Sequence, residues 1–109
     1  MQLSVMRETG VTVVRTEESR LDAAGVLAFK DRLREAVQTA QGRVVLDLGS
    51  VNFLDSSGLG AVVAARKFLA DGVALELAGL TPAVERVFRL TRMDSVFTIH
   101  PRVEDALAG

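Results

Sequence analysis

The sequence contains no cysteine, no tryptophan and no tyrosine, and it has a single histidine, His100. The absence of cysteine excludes disulfides, thiolate nucleophiles and sulfur-ligated metals from this chain. Proline is also scarce, with two residues in the whole sequence. These absences leave few side chains with which the protein could build a reactive centre.

The sequence also has no excess of charge of one sign and no long apolar run. Thirteen basic and 14 acidic residues give a net charge of −1, whereas a nucleic-acid-binding surface needs a basic stripe that neutralises phosphates. The longest apolar run, at 61–65, is far shorter than the roughly 18 residues of a membrane-spanning helix. Because the first eight residues also lack a signal-peptide pattern, we expect a cytoplasmic protein without membrane insertion or direct nucleic-acid binding.

Hydrophobic periodicity predicts a single α/β domain over residues 1–109. With 109 residues and 49% apolar side chains, the chain is long and hydrophobic enough to bury one core. A β-hairpin is predicted over 1–18, and strands are predicted at Val44–Leu48, Val73–Leu77 and Val96–Ile99. Helices are predicted from Asp22 to Gly42, from the 55–60 segment to Gly72, from Pro82 after a Thr81 cap, and over Val103–Leu107. An N-terminal hairpin followed by this alternation indicates a mixed, mostly parallel sheet.

The segment Asp55-Ser56-Ser57-Gly58-Leu59-Gly60 departs from ordinary helix chemistry. Each of its two glycines costs about 1 kcal/mol relative to alanine in a helix, and such local departures often mark functional sites. A helix N-terminus tolerates an anion, and glycines allow another backbone to approach closely. The alternative interpretation is that Asp55 or a serine only caps the helix and that the glycines ease its packing.

Two stretches of the sequence resemble the signature of STAS domains, namely 44–48 and 51–60, which includes Asp55-Ser56-Ser57-Gly58. Within that family the chain is most similar to bacterial anti-sigma factor antagonists of partner-switching systems. Leu21-Asp22, Leu80-Thr81-Pro82 and Val103-Glu104-Asp105 follow in a family-like order, so the resemblance covers essentially the whole chain.

This resemblance implies a regulatory switch rather than an enzyme, and no cofactor. A serine-kinase anti-sigma factor with a Bergerat-type ATP-binding fold would phosphorylate Ser56, and a metal-dependent serine phosphatase would reverse the modification. The unphosphorylated form would bind the kinase and release its sigma factor or other target. The residues expected to contact the partner are Asp22, Leu54, Asp55, Ser57, Gly58, Leu59 and Gly60. Whether the domain also forms a homodimer stays open.

One segment departs from the family pattern. Members often carry a Gly-Glu-Leu-Asp-like segment before the first helix, where this chain has Ser19-Arg20-Leu21-Asp22. Asp22 is retained and is expected beside the serine, whereas Arg20 adds a positive charge near the expected interface. The identity of the partner therefore stays open. Of the neighbouring apolar residues, we expect Phe53 to be buried and Leu54 to lie near the interface.

Several other functions compete with the switch. A serine hydrolase would lack a Gly-x-Ser-x-Gly elbow and would depend on His100 as its base. A receiver-type phosphoacceptor at Asp47 would lack the acidic pair and the lysine that such sites need. Asp22, Asp47 and Asp55 could together suggest a magnesium site, but capping and interface roles explain each of these residues more simply. A STAS regulatory subunit of a lipid or ion transporter, not switched by a kinase, is the main alternative.

Overall fold

The computed structural model describes residues 2–108, which contain seven strands and four α-helices. The strands are β1 (Leu3–Glu8), β2 (Val11–Thr16), β3 (Arg20–Leu21), β4 (Arg43–Asp47), β5 (Phe53–Leu54), β6 (Ala74–Ala78) and β7 (Ile99–His100). The α-helices are α1 (Val26–Val37), α2 (Ser56–Ala65), α3 (Pro82–Leu90) and α4 (Val103–Ala108). One-turn 3-10 helices follow α2 and α3, at Arg66–Phe68 and Met93–Ser95.

The main sheet has the strand order β1-β2-β4-β6-β7. β1 pairs with β2 in antiparallel register, and every other pair in this sheet is parallel. This topology confirms the predicted hairpin and the mixed, mostly parallel sheet. The short strands β3 and β5 form a separate parallel pair, which the hydrophobic pattern does not predict because two residues are too few to show a period.

Side chains on both faces of the inner strands β2 and β4 are covered, whereas the edge strand β1 is mostly exposed. The larger core lies between the sheet and α1, α2 and α3, with Phe29, Leu33, Val62 and Phe88 among its buried residues. The smaller core lies under α4, where Ala106 packs with Val45 and Ala78. Because successive residues of a strand point to opposite faces, this double coverage explains the almost continuous apolar sequence of β4.

Several predicted element ends are wrong. α1 begins at Val26 after a Gly25 N-cap position without a side-chain cap, so Asp22 does not cap it. α1 ends at Val37, well before Gly42, whose positive φ of 77° instead serves the turn into β4. α2 ends at Ala65 and does not continue to Gly72.

The boundaries near α3 and β7 are partly as predicted. Pro82 is the first residue of α3, but the Thr81 hydroxyl does not cap the helix. It donates to the Val51 carbonyl at 2.7 Å and so ties α3 to the loop that precedes β5. The last strand covers Ile99–His100 instead of beginning at Val96.

Candidate functional site

The β3–β5 pair brings the two predicted parts of the site together. Arg20 lies opposite Phe53 and Leu21 lies opposite Leu54, and the Asp55 amide donates to the Leu21 carbonyl at 3.4 Å. Leu21 and Leu54 are buried and anchor the pair to the core. As a result, the segment that precedes α1 lies beside the first turn of α2.

The Asp55 carboxylate connects these two segments. Its Oδ1 accepts from the Gly58 amide at 2.8 Å and so caps α2, which selects Asp55 from the capping residues that the sequence left open. Its Oδ2 accepts from the Ala23 amide at 3.1 Å. Chiefly because the Gly58 N–H favours the ionised form, the pKa of Asp55 is lowered from its ordinary value. At neutral pH the Asp55 carboxylate is therefore ionised, and it links the segment before α1 to the first turn of α2.

The two glycines of α2 have different roles. A Cβ added to Gly58 would lie 2.0 Å from the Leu21 carbonyl oxygen, whereas one added to Gly60 would meet no atom within 4 Å. Gly58 is buried, and the Leu21 backbone occupies the space that a side chain would need. For Gly58, therefore, the interpretation that the glycine eases helix packing is correct. Gly60 is exposed and remains available to another molecule.

Ser56 and Ser57 are both exposed to solvent at the start of α2. Ser56 is the first residue of the helix, where unpaired backbone N–H groups and the positive end of the helix dipole favour an anion. A negative group added to the Ser56 hydroxyl would therefore be tolerated by the free domain without repacking.

The environment of Asp22 contains a contact that the sequence reading missed. The Arg20 Nε lies 3.2 Å from Asp22 Oδ2, and the Arg20 guanidinium lies 4.1 Å from the centre of the Phe53 ring. The Arg20 side chain is 60% exposed. The strand register of Arg20 and Phe53 is the signal that pairs them, and it becomes visible only once β3 and β5 are aligned.

The structure reverses the expectation for Phe53 and Leu54. Phe53 is 41% exposed, whereas Leu54 is only 6% exposed, because adjacent strand residues point to opposite sides and Leu54 pairs with the buried Leu21. In this structure Leu54 and Gly58 are therefore buried by contacts within the chain. Leu59 is half-buried and packs against the larger core.

The residues of the competing functions make structural contacts. Asp47 is buried, and it accepts from Arg15 Nη1 at 2.8 Å and from the Gly49 amide at 2.8 Å. The hydrogen bond to Asp47 raises the pKa of Arg15. The Nε2 of His100 lies 2.7 Å from Glu76 Oε1. Within the described part of the chain, no helix is long and apolar enough to cross a membrane.

Comparison with known proteins gives consistent matches over nearly the full chain. The sequence model of the STAS domain matches residues 2–106. The anti-sigma F factor antagonist of Paenibacillus polymyxa is 27% identical over an alignment of 109 positions, which covers 98% of this chain and 92% of that protein.

Solved structures give the same result. An anti-sigma factor antagonist from Mycobacterium paratuberculosis has a TM-score of 0.86 and 28% identity, with 98% of this chain and 91% of that chain covered. An anti-sigma-factor antagonist (STAS) domain protein from Planctomyces limnophilus has a TM-score of 0.87 and 26% identity, with 97% and 95% covered.

Proposed function

Because the chain belongs to the STAS domain family, we propose that it acts as an anti-sigma factor antagonist that is switched by phosphorylation of Ser56. In the unphosphorylated form it binds a serine-kinase anti-sigma factor, which then releases its sigma factor or other target. A metal-dependent serine phosphatase restores this form. The protein itself catalyses no reaction in the cycle.

The observation that carries this proposal is the exposure of Ser56 at the first residue of α2. Its hydroxyl is open to an incoming kinase, while the neighbouring Asp55 carboxylate is held by two backbone amides. A kinase can therefore reach the hydroxyl without disturbing the cap that fixes the start of the helix. The names of the related antagonists support the same function.

Charge explains how the modification would control binding. Phosphorylation adds about −1.5 to −2 charges and three acceptor oxygens at Ser56. The Asp55 carboxylate directly precedes Ser56 in the chain. Asp22 belongs to the segment whose Leu21 and Ala23 contact Leu54 and Asp55, and there it pairs with Arg20. In the free domain water and the helix N-terminus accommodate the phosphate, but a bound partner would remove the water and press like charges together. The switch thus acts on the complex and leaves the fold intact.

The first test identifies the phosphorylated residue. Incubation of the wild-type protein with its cognate kinase and ATP, followed by phosphopeptide mass spectrometry, should place one phosphate on Ser56. Ser56→Ala should remain unmodified, and Ser57→Ala, which changes the adjacent exposed hydroxyl, should be phosphorylated like the wild type. A phosphate on Ser57, or none on either serine, would contradict the assignment.

The second test measures the partner interaction. Ser56→Ala should bind the kinase as tightly as the unmodified wild type, whereas Ser56→Asp should bind roughly a hundredfold more weakly, a factor that corresponds to about 3 kcal/mol. Calorimetry on purified proteins gives both affinities, with Thr39→Asp, at an exposed residue just after α1, as the control for added charge. Capture of a lipid or ion transporter, equally by the wild type and Ser56→Asp, would instead favour the transporter-subunit function.

A further inference from the structure

A second surface lies at the opposite end of α2 from Ser56. α2 spans ten residues, which separates its two ends by about 15 Å. Beyond its last turn, a groove of about 610 Å³ opens between the Arg66–Phe68 helical turn, β6 and the segment that leads to β7. We call it the β6 groove. Its apolar lining residues are Val63, Leu69, Val73, Ala74, Leu75 and Val96.

One wall of the β6 groove is an incompletely paired strand. The Leu77 amide donates to the Thr98 carbonyl at 2.9 Å, and the Gly79 amide donates to the His100 carbonyl at 3.1 Å. By the two-residue period of a strand, the backbone of Leu75 faces the same side. β7, however, pairs only with Leu77 and Ala78. Within residues 2–108, the first half of β6 therefore has no strand neighbour on this side.

The other wall carries positive charge. Arg66 and Lys67 are exposed and line the groove, and within the described residues neither lies within 4.0 Å of a carboxylate. Glu76, the acidic residue that lines the groove, is already engaged by Arg43 at 2.9 Å and by His100 at 2.7 Å. The groove therefore presents the unpaired positive charges of Arg66 and Lys67 to a binding partner.

From these three features, we propose that the β6 groove binds an extended acidic segment of another protein by strand addition to β6. The backbone of the segment would satisfy the free edge at Leu75, and its apolar side chains would cover Val63 and Val96. Its carboxylates would pair with Arg66 and Lys67. This site is separate from the proposed switch, so its occupancy does not depend on the state of Ser56.

The proposal predicts the composition of peptides that the full chain selects. A phage library of random nine-residue peptides is panned against the wild type, against Arg66→Glu/Lys67→Glu, and against Arg32→Glu/Arg86→Glu, which reverses two exposed cations elsewhere. Wild-type selections should enrich Asp, Glu and apolar residues. Binding of these peptides should fall at least fivefold in Arg66→Glu/Lys67→Glu and stay unchanged in the control and in Ser56→Asp.

NMR titration with the best-enriched peptide then locates the site. Amide shifts should concentrate at 73–76 and 66–67, and N-methylation of alternate peptide residues should abolish binding, because it removes the donors of a strand. The proposal would be overturned if the library yielded basic peptides or no enrichment above background. It would also be overturned if the shifts were confined to the other sheet edge at β1, or if the N-methylated peptide bound fully.

Discussion

The close contact between Gly58 and Leu21 allows a sharp test of the packing around the site. In Gly58→Ala, the new methyl carbon would lie 2.0 Å from the Leu21 carbonyl oxygen, and ordinary van der Waals contact begins at 3.4 Å. α2 and β3 must therefore separate by about 1.4 Å. Leu21 is only 1% exposed, so this movement opens the core and weakens the β3–β5 pair.

The magnitude follows from two opposing terms. Overpacking that shifts the backbone costs about 1–3 kcal/mol, and a contact of 2.0 Å with a backbone oxygen places this variant at the upper end of that range. Alanine gains about 1 kcal/mol over glycine in a helix. For Gly58→Ala we expect a net loss of about 2 kcal/mol in the free energy of unfolding. Gly60→Ala in the same helix meets no atom within 4 Å and should gain about 0.5–1 kcal/mol.

The assay is thermal and urea denaturation of the two variants and the wild type, followed by circular dichroism. At about 4 °C per kcal/mol for a domain of this size, Gly58→Ala should melt roughly 10 °C below Gly60→Ala. Equal stability of the two variants would refute the packing role of Gly58, and so would a Gly58→Ala variant more stable than the wild type.

Three further variants test the other contacts. The pKa of Asp55 is lower in the folded protein than in the unfolded chain, so the unfolded chain binds the Asp55 proton more readily. The wild type should therefore be more stable than Asp55→Asn above about pH 4, and this difference should shrink as the pH falls below 4. Urea titrations at pH 7, 4 and 3 measure the difference, and one that grows in acid would contradict the prediction. Leu54→Ala should lose about 2–5 kcal/mol of unfolding free energy, whereas the exposed Phe53→Ala should lose less than about 1 kcal/mol, and the reverse order would restore the sequence-based expectation. Glu76→Gln should lose about 1–3 kcal/mol, because the half-buried guanidinium of Arg43 loses its charged partner; unchanged urea denaturation would show that this ion pair contributes nothing.

The sequence predicted features that depend on local chemistry. The apolar run of β4 and the proline at the start of α3 each depend on residues close together in the chain, so composition and spacing were sufficient. A cap at Asp55 or a neighbouring serine was predicted on the same grounds, and the structure selects Asp55. The hydrophobic pattern placed Ser56 on the loop that enters α2, and in the structure Ser56 is the first residue of that helix.

The missed features depend on contacts between distant segments. Phe53 and Leu54 are both apolar, and only the alignment of β5 with β3 determines which of them faces the core. Gly58 and Gly60 look equivalent in sequence, yet only Gly58 lies against the Leu21 carbonyl, 37 positions away in the chain. The pairing of Arg20 with Phe53 depends on the same alignment.

The composition of α2 has a consequence for substrate recognition. The helix has ten residues, includes two glycines and has no charged side chain, and isolated helices shorter than about 12–15 residues are marginal in water. A synthetic peptide of this segment would therefore be largely unstructured, and its serine would lack the fixed backbone that the folded domain provides. A kinase that acts on Ser56 would read a three-dimensional epitope assembled from distant parts of the chain, and a linear peptide should be a poor substitute for it.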